Sequence, residues 1–257
     1  KKVFTENQEV LLATATAIML QNNKRKEKVH LVTGLPLDYY MPQREEYKKQ
    51  LRQYRASVTV NGYCDPIEIM FDEVTVFPQG AGAIYYSLLK DENKYLVPNS
   101  YIALVDVGHK TTDIVVFYIE SNGKLSFAPE MSGTVNTGTK YISVAIEEAF
   151  MAKYGSKIST RNLLLLINSG EIFYDNKVDR EFQPRIMSLK ESMSQVLRSW
   201  MTRTWGSDGL KEFSHIVFSG GGGKDIYNYF HDVGPVISLA DDPQFANAHG
   251  FLSVGQG

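Results

Sequence analysis

Residues 102–117 read Ile-Ala-Leu-Val-Asp-Val-Gly-His-Lys-Thr-Thr-Asp-Ile-Val-Val-Phe, an apolar run, a short polar turn and a second apolar run. Such a segment folds as two buried strands around a tight turn, with Asp106 and Asp113 at its two edges. A carboxylate at the mouth of so apolar a strand is costly unless a metal, a water or donors meet it. The turn itself offers backbone N–H groups, the hydroxyls of Thr111 and Thr112, and the Lys110 cation, a set suited to phosphate. A turn rich in Gly and Thr also closes hairpins that bind nothing. A second feature lies about a hundred residues on. There the strand His215–Ser219 runs into Gly220, Gly221, Gly222 and Gly223 before a helix. Four glycines carry a large entropic cost for a mere connector, and they let a flat ligand lie on the backbone. The two turns together read as two halves of a nucleotide site.

At 257 residues, 43% hydrophobic and 12% aromatic, the chain supports one large domain or two medium ones with a proper core. The formal charge of -2 argues against a dedicated nucleic-acid surface. Cys64 is the only cysteine, so no internal disulfide can form, and a reducing, cytoplasmic setting is expected. Histidines 30, 109, 215, 231 and 249 show no metal-ligand spacing. Val10–Leu20 is apolar but too short to span a bilayer, and is expected to be a buried helix. The basic run Lys24–Lys28 is expected to be a solvated loop.

Strands are expected at 29–33, 57–60, 67–71 and 74–77, the last three forming an opening antiparallel set, with helices at 43–54 and 84–89. The polar stretch 91–100 is the expected boundary between a first domain (1–98, with 240–257 returning to it) and a second (99–239). In the second, strands 102–105, 113–119 and 124–128 precede a helix capped by Thr137. A long helix after Pro184 carries Ile186, Leu189, Met193, Val196, Leu197 and Trp200 on one face. This alternation indicates a mixed-sheet α/β architecture. Gly133–Lys140 imitates a P-loop, but its Lys and Thr stand in reversed order, which rejects that reading. Gly138, at a helix start, suits close approach by a ribose or phosphate. Gln79, in Pro78-Gln79-Gly80, is the side chain best suited to catalysis, because a neutral amide can orient an attacking water; a solvent-facing turn residue is the alternative. The pair Asp241-Asp242 is expected to serve a turn or helix cap.

The order Pro78-Gln79-Gly80, Asp106-x-Gly108-x-x-Thr111-Thr112, Gly138, Ser219-Gly220-Gly221-Gly222-Gly223 and Asp241-Asp-Pro-Gln-Phe-Ala-Asn-Ala-His-Gly250-Phe251 resembles the actin-like ATPases of the actin/Hsp70/sugar-kinase superfamily. It is especially similar to the bacterial plasmid-segregation actins of the ParM/StbA group and to archaeal-type actins. The resemblance implies two RNase-H-like domains around a cleft that holds ATP or ADP with Mg²⁺. It implies that Asp106 holds the Mg²⁺ through water and that Gly108, His109, Lys110, Thr111 and Thr112 wrap the β- and γ-phosphates. Gln79 would position the lytic water, Gly220–Gly223 would lie against the adenosine, and Gly138 beside the ribose. The helix bearing Arg185 and Lys190 would approach the adenine.

His109 and Lys110 replace small residues usual in the phosphate turn, so an unusual phosphate geometry is expected there. The family's first phosphate loop, an N-terminal Asp-x-Gly hairpin followed by lysine, and most of the small outer subdomain are expected to be missing. That amounts to roughly a hundred residues of a relative, and the chain as given is expected to hydrolyse ATP poorly. The function implied is nucleotide-dependent self-assembly into filaments that segregate plasmid or other DNA through a DNA-binding adaptor protein, with no direct nucleic-acid contact and no membrane. Two alternatives are a phosphotransferase of the sugar-kinase kind, for which Asp113 is a weak candidate base, and a structural module that has lost hydrolysis.

Overall fold

The computed structural model describes residues 5–22, 28–61, 65–206 and 208–256. Cys64 and most of the basic run, residues 24–27, lie outside them. Helix α1 (Glu6–Asn22) starts at a reciprocal cap: the Gln8 N–H donates to Thr5 Oγ1 at 3.4 Å and the Thr5 N–H to Gln8 Oε1 at 2.9 Å. The helix is where the sequence places it, but it is not buried. Ala13, Thr16 and Ala17 face the core while Val10, Leu11, Ile18 and Met19 are exposed. Apolar residues all round a helix do not say which side is covered.

Strand β1 (His30–Leu35) leads into α2 (Leu37–Gln53), which runs through Pro42 rather than starting after it and buries Tyr40, Tyr47 and Leu51. Strands β2 (Arg55–Val58), β3 (Ile67–Met70) and β4 (Glu73–Pro78) follow. They do not make the expected three-stranded antiparallel set. β2 and β3 pair antiparallel, and β4 instead pairs parallel with β1, from His30↔Glu73 to Leu35↔Pro78. Alternation within a strand fixes its inward face but not its partner. Leu35, Leu51, Ile69, Phe71 and Val74 form the core of this region with Ala17 of α1.

Helix α3 (Ala81–Lys90) and the short α4 (Glu92–Tyr95) lead to the main sheet. Its strands are β5 (Ser100–Val107), β6 (Thr112–Ile119), β7 (Leu125–Phe127), β8 (Gly133–Val135), β11 (Phe213–Ser219) and β12 (Val236–Leu239). The order is β12-β11-β5-β6-β7, with β8 also on β6. β5 pairs antiparallel with β6 and parallel with β11, so the sheet is mixed. Alternate residues of β5 and β6 enter different cores, because successive side chains of a strand point to opposite faces. Ala103, Val105, Val107, Ile114 and Val116 meet one layer of helices. Ile102, Leu104, Val115 and Phe117 meet α3.

The first layer contains α5 (Thr139–Tyr154), α6 (Thr160–Ser169), α7 (Gln183–Trp205) and α8 (Gly223–Ile226). Along α7, Ile186, Met193 and Leu197 are buried as expected, but Val196 is exposed. Helix α5 is capped by Gly138 rather than Thr137. Among the described residues no helix is long and apolar enough to cross a membrane.

Between α6 and α7 lies a hairpin of β9 (Ile172–Tyr174) and β10 (Lys177–Asp179). Asp179 ties it to α5, accepting from Lys153 Nζ at 2.7 Å, Tyr154 OH at 2.5 Å and the Glu181 N–H at 2.9 Å. Burial alone pushes the Asp179 carboxyl up, but the bonds from Lys153, Tyr154 and Glu181 outweigh it and hold the group down at about 2. A depressed carboxylate stabilises the fold fully above its unfolded value of about 3.9 and loses that contribution as pH falls through the folded value. Asp179→Ala leaves Lys153 paired with Glu181 alone and takes the acceptor from the Tyr154 hydroxyl and the Glu181 N–H, and is expected to cost about 1–3 kcal/mol at pH 7. Urea unfolding at pH 7 and near pH 2 checks this: the difference from wild type should shrink at the acid end.

Candidate nucleotide site

The site begins with strand register. β5 and β11 run parallel with Asp106 opposite Ser219, so the two strands end at one level and their following turns lie side by side. The Gly222 N–H donates to the Val107 carbonyl at 3.1 Å, joining the glycine run directly to the end of β5. The two turns singled out in the sequence therefore share one end of the sheet.

Asp106 lies between them. Its Oδ1 accepts from Ser219 Oγ at 3.1 Å and its Oδ2 from Asn247 Nδ2 at 2.9 Å. Burial pushes its carboxyl above the ordinary range, with Asp113 adding repulsion, while the Ser219 and Asn247 bonds pull the other way. A nearby cation would favour the ionised form of such a group. Two glycines are required around it. Gly220 has φ +78°, and a Cβ there would stand 2.5 Å from Asp106 Oδ1 and 2.4 Å from the Val107 oxygen. A Cβ on Gly222 would strike Val107 Cγ1 at 2.6 Å and Thr139 Cγ2 at 2.5 Å. Gly221 faces open space instead, with nothing within 4 Å of a Cβ.

The turn after β5 is closed by Gly108 N–H to Thr111 O at 3.0 Å. The start of α5 is laid against it: the Thr139 N–H donates to Gly108 O at 3.1 Å and the Lys140 N–H to His109 O at 2.8 Å. Gly138 permits this approach, since a Cβ there would lie 2.7 Å from both carbonyl oxygens. Among the described residues the N–H groups of His109, Lys110 and Thr111 meet no acceptor, which leaves donors for an anion. His109 and Lys110 are exposed and Thr111 is half-buried. Thr112 differs from expectation: it is fully buried and its hydroxyl donates to the Thr137 carbonyl at 2.8 Å, so it secures the fold of the turn.

Gln79 follows β4, with its N–H bonded to Leu35 O at 2.6 Å and its side chain exposed. The next residue, Gly80 (φ +102°), packs on the main sheet, where a Cβ would lie 3.0 Å from Leu104 Cδ2 and 3.9 Å from Asp106 Cβ. Gln79 thus precedes a glycine at which a Cβ would come into van der Waals range of the Asp106 side chain. Asp113 is buried and accepts from Thr134 Oγ1 at 2.6 Å, a position poorly placed for a base that must meet a diffusing acceptor. Lys190 reaches the helix after the glycine run, pairing with Asp225 Oδ1 at 2.8 Å; Arg185 is exposed. The Asp241–Pro243 segment serves a turn, as expected. Phe245 N–H donates to Asp242 O at 2.9 Å, and Pro243 O accepts from the Gly220 N–H at 2.8 Å.

One residue of the site, Asn247, lies inside the 241–251 segment that carries the resemblance, but the sequence alone assigns it no role. Asn247 sits near the start of α9 (Ala246–Gln256), which crosses α3 so closely that a Cβ on Gly82 would lie 2.3 Å from Asn247 O. The small residues flanking it, Ala246 and Ala248, fit a tight crossing.

The donor set suits a hydrated Mg²⁺ held partly by phosphates, because each Asp106 oxygen accepts a single protein bond and keeps capacity beyond it. Among the described residues no group of three or more His, Cys, Asp or Glu side chains could hold a metal without such help.

Residues 104–232 match the family described as archaeal actin homologue MreB-like, C-terminal, and residues 1–82 match the N-terminal domain of actin-like proteins. No curated protein matches the sequence. Among solved structures, a non-polymerisable quadruple mutant of pCBH ParM is 34% identical at a TM-score of 0.81, over 100% of this chain and 76% of that one. A ParM from Clostridium botulinum, solved as a 15-stranded filament, is 34% identical at a TM-score of 0.82, over 100% of this chain and 75% of that one. An archaeal actin homologue in complex with ADP shares the fold at a TM-score of 0.80 and 18% identity, over 99% of this chain and 79% of that one. The mixed α/β architecture, both family matches and the identity to ParM converge: the chain belongs to the actin-like ATPase superfamily, close to ParM.

Proposed function

We propose that this chain is the subunit of a nucleotide-dependent, actin-like filament that binds ATP or ADP with Mg²⁺ between its two glycine-bearing turns. The observation that carries the reading is the juxtaposition of Asp106–Thr111 with Gly220–Gly223 at the ends of the parallel strands β5 and β11. Ligands of open α/β sheets bind outside the carboxyl ends of such strands. The ADP complex of the archaeal homologue and the filament of the Clostridium botulinum ParM support the nucleotide and the self-assembly.

Mg²⁺ would be held by Asp106 through water and by the phosphates, whose charge it neutralises. The protein's own part is positioning. The amides of His109, Lys110 and Thr111 and the Lys110 ammonium receive the terminal phosphates. Gly221 leaves its face open to the nucleoside, and Gly138 lets the start of α5 close on the phosphate turn. Gln79 orients the attacking water by its side-chain amide, which needs no shifted pKa. Residues 1–98 with 240–257 and residues 99–239 form the two sides of the cleft. The biological task is DNA segregation through a DNA-binding adaptor protein, in keeping with the net charge of -2.

Calorimetric titration of the full-length protein with ADP, with and without Mg²⁺, tests the nucleotide, and pelleting with Mg-ATP tests assembly. Gln79→Ala is expected to slow phosphate release about tenfold or more and to lengthen polymer lifetime, with ADP affinity unchanged. Phosphate release at the wild-type rate would remove Gln79 from this role.

A further inference from the structure

Asn247 uses both ends of its side-chain amide. Nδ2 donates to Asp106 Oδ2 at 2.9 Å, and Oδ1 accepts from the Ala83 N–H at 3.1 Å. These partners belong to different halves of the site. Asp106 is the last residue but one of β5 in the main sheet, while Ala83 lies in the first turn of α3, four residues after Gln79. We propose that Asn247 is a positioning residue that holds the Asp106 carboxylate in register with the Gln79 turn. A planar amide fixes both directions at once, since its donor and acceptor cannot turn independently.

The position of Asn247 is itself fixed. Asn247 lies where α9 and α3 touch backbone to backbone, so it cannot shift along Asp106 without moving the helix. Ser219, the other donor to Asp106, belongs to β11, the strand beside it, and so cannot supply this link to α3. Asn247 is thus the one side chain in hydrogen-bond contact with both, among the described residues. Outer partners of this kind orient a metal-binding carboxylate, and their loss typically costs about 10–100-fold in activity.

The inference rests on the nucleotide reading above, and the test separates the two. In the full-length protein, Asn247→Asp keeps the size and the acceptor for Ala83 but sets a carboxylate against Asp106. ATP turnover with Mg²⁺ is expected to fall about 10–100-fold. Affinity for ADP in EDTA should change less than about threefold, because the Gly220–Gly223 side is untouched. The exchange Asp106→Asn with Asn247→Asp restores an amide–carboxylate pair. Its melting temperature should return to near the wild-type value while turnover stays low. Turnover by Asn247→Asp at the wild-type rate overturns the inference alone, as does an exchanged pair no more stable than Asn247→Asp. A wild-type protein that binds no ADP overturns the nucleotide reading and this inference with it.

Discussion

Gly250→Ala is expected to lower the melting temperature by roughly 6–12 °C, although a Gly-to-Ala change inside a helix ordinarily stabilises by about 1 kcal/mol. The reversal comes from the crossing of α3 and α9. A Cβ on Gly250 would lie 1.8 Å from the Gly82 oxygen and 2.8 Å from its Cα. The obstacle is backbone, so no side-chain rotation relieves it, and one helix must move off the other. Overpacking a close contact costs about 1–3 kcal/mol, and a rigid one lies at or above the top of that range. For a chain of this size each kcal/mol shifts the melting temperature by about 2–4 °C. Gly255→Ala on the same helix is the control. Its Cβ would stand 3.3 Å from Val32 Cγ2, a side-chain atom able to give way, so its melting temperature should change by no more than about 2 °C. Equal melting temperatures for the two variants would mean that α3 and α9 do not cross this closely. The crossing bears on chemistry as well as stability, because separating the helices draws Asn247 away from Asp106.

How far the sequence spoke depends on the element. The 102–117 hairpin was legible because both strands are buried on both faces and the turn between them is short and polar. Its register places Asp106 opposite Asp113, the two edges read from the sequence. The glycine run was legible as a strand-to-helix passage, and its position beside the hairpin follows once β11 pairs with β5. The β1–β4 pairing was not legible, because the partner of a strand is chosen by the chain's path, here across α2 and the β2–β3 hairpin. Helix α6 also escaped. Leu163, Leu166 and Ile167 do form its buried side, but a continuous apolar run of five residues reads equally as a buried strand, and Leu164 and Leu165 point outward. β9 and β10 are three residues each, too short to show alternation. In the site, the glycines and Asp106 could be found from residue type. Asn247 could not, since an amide's importance lies in which two groups it joins. Thr112 shows the reverse error: a hydroxyl in the right turn, but used by the Thr137 carbonyl.

Gly221→Leu is expected to weaken ADP binding by about 100-fold, or about 2.7 kcal/mol, while leaving the melting temperature within about 2 °C of wild type. Its neighbour sets the comparison. Gly220 needs its glycine to fold: φ is +78°, and a Cβ would collide with the Val107 oxygen and Asp106 Oδ1. Gly220→Ala should therefore lose stability and binding together. Gly221 has nothing within 4 Å of a Cβ, so the fold places no demand on it. The absence of a side chain there is explained if a flat ligand rests on that backbone, and a leucine would occupy the same space. Differential scanning fluorimetry and calorimetric titration with ADP separate the two effects. Unchanged ADP affinity in Gly221→Leu would place the nucleoside elsewhere, leaving Gly220 and Gly222 as purely architectural glycines. Stability kept and binding lost would instead identify Gly221 as backbone reserved for the ligand.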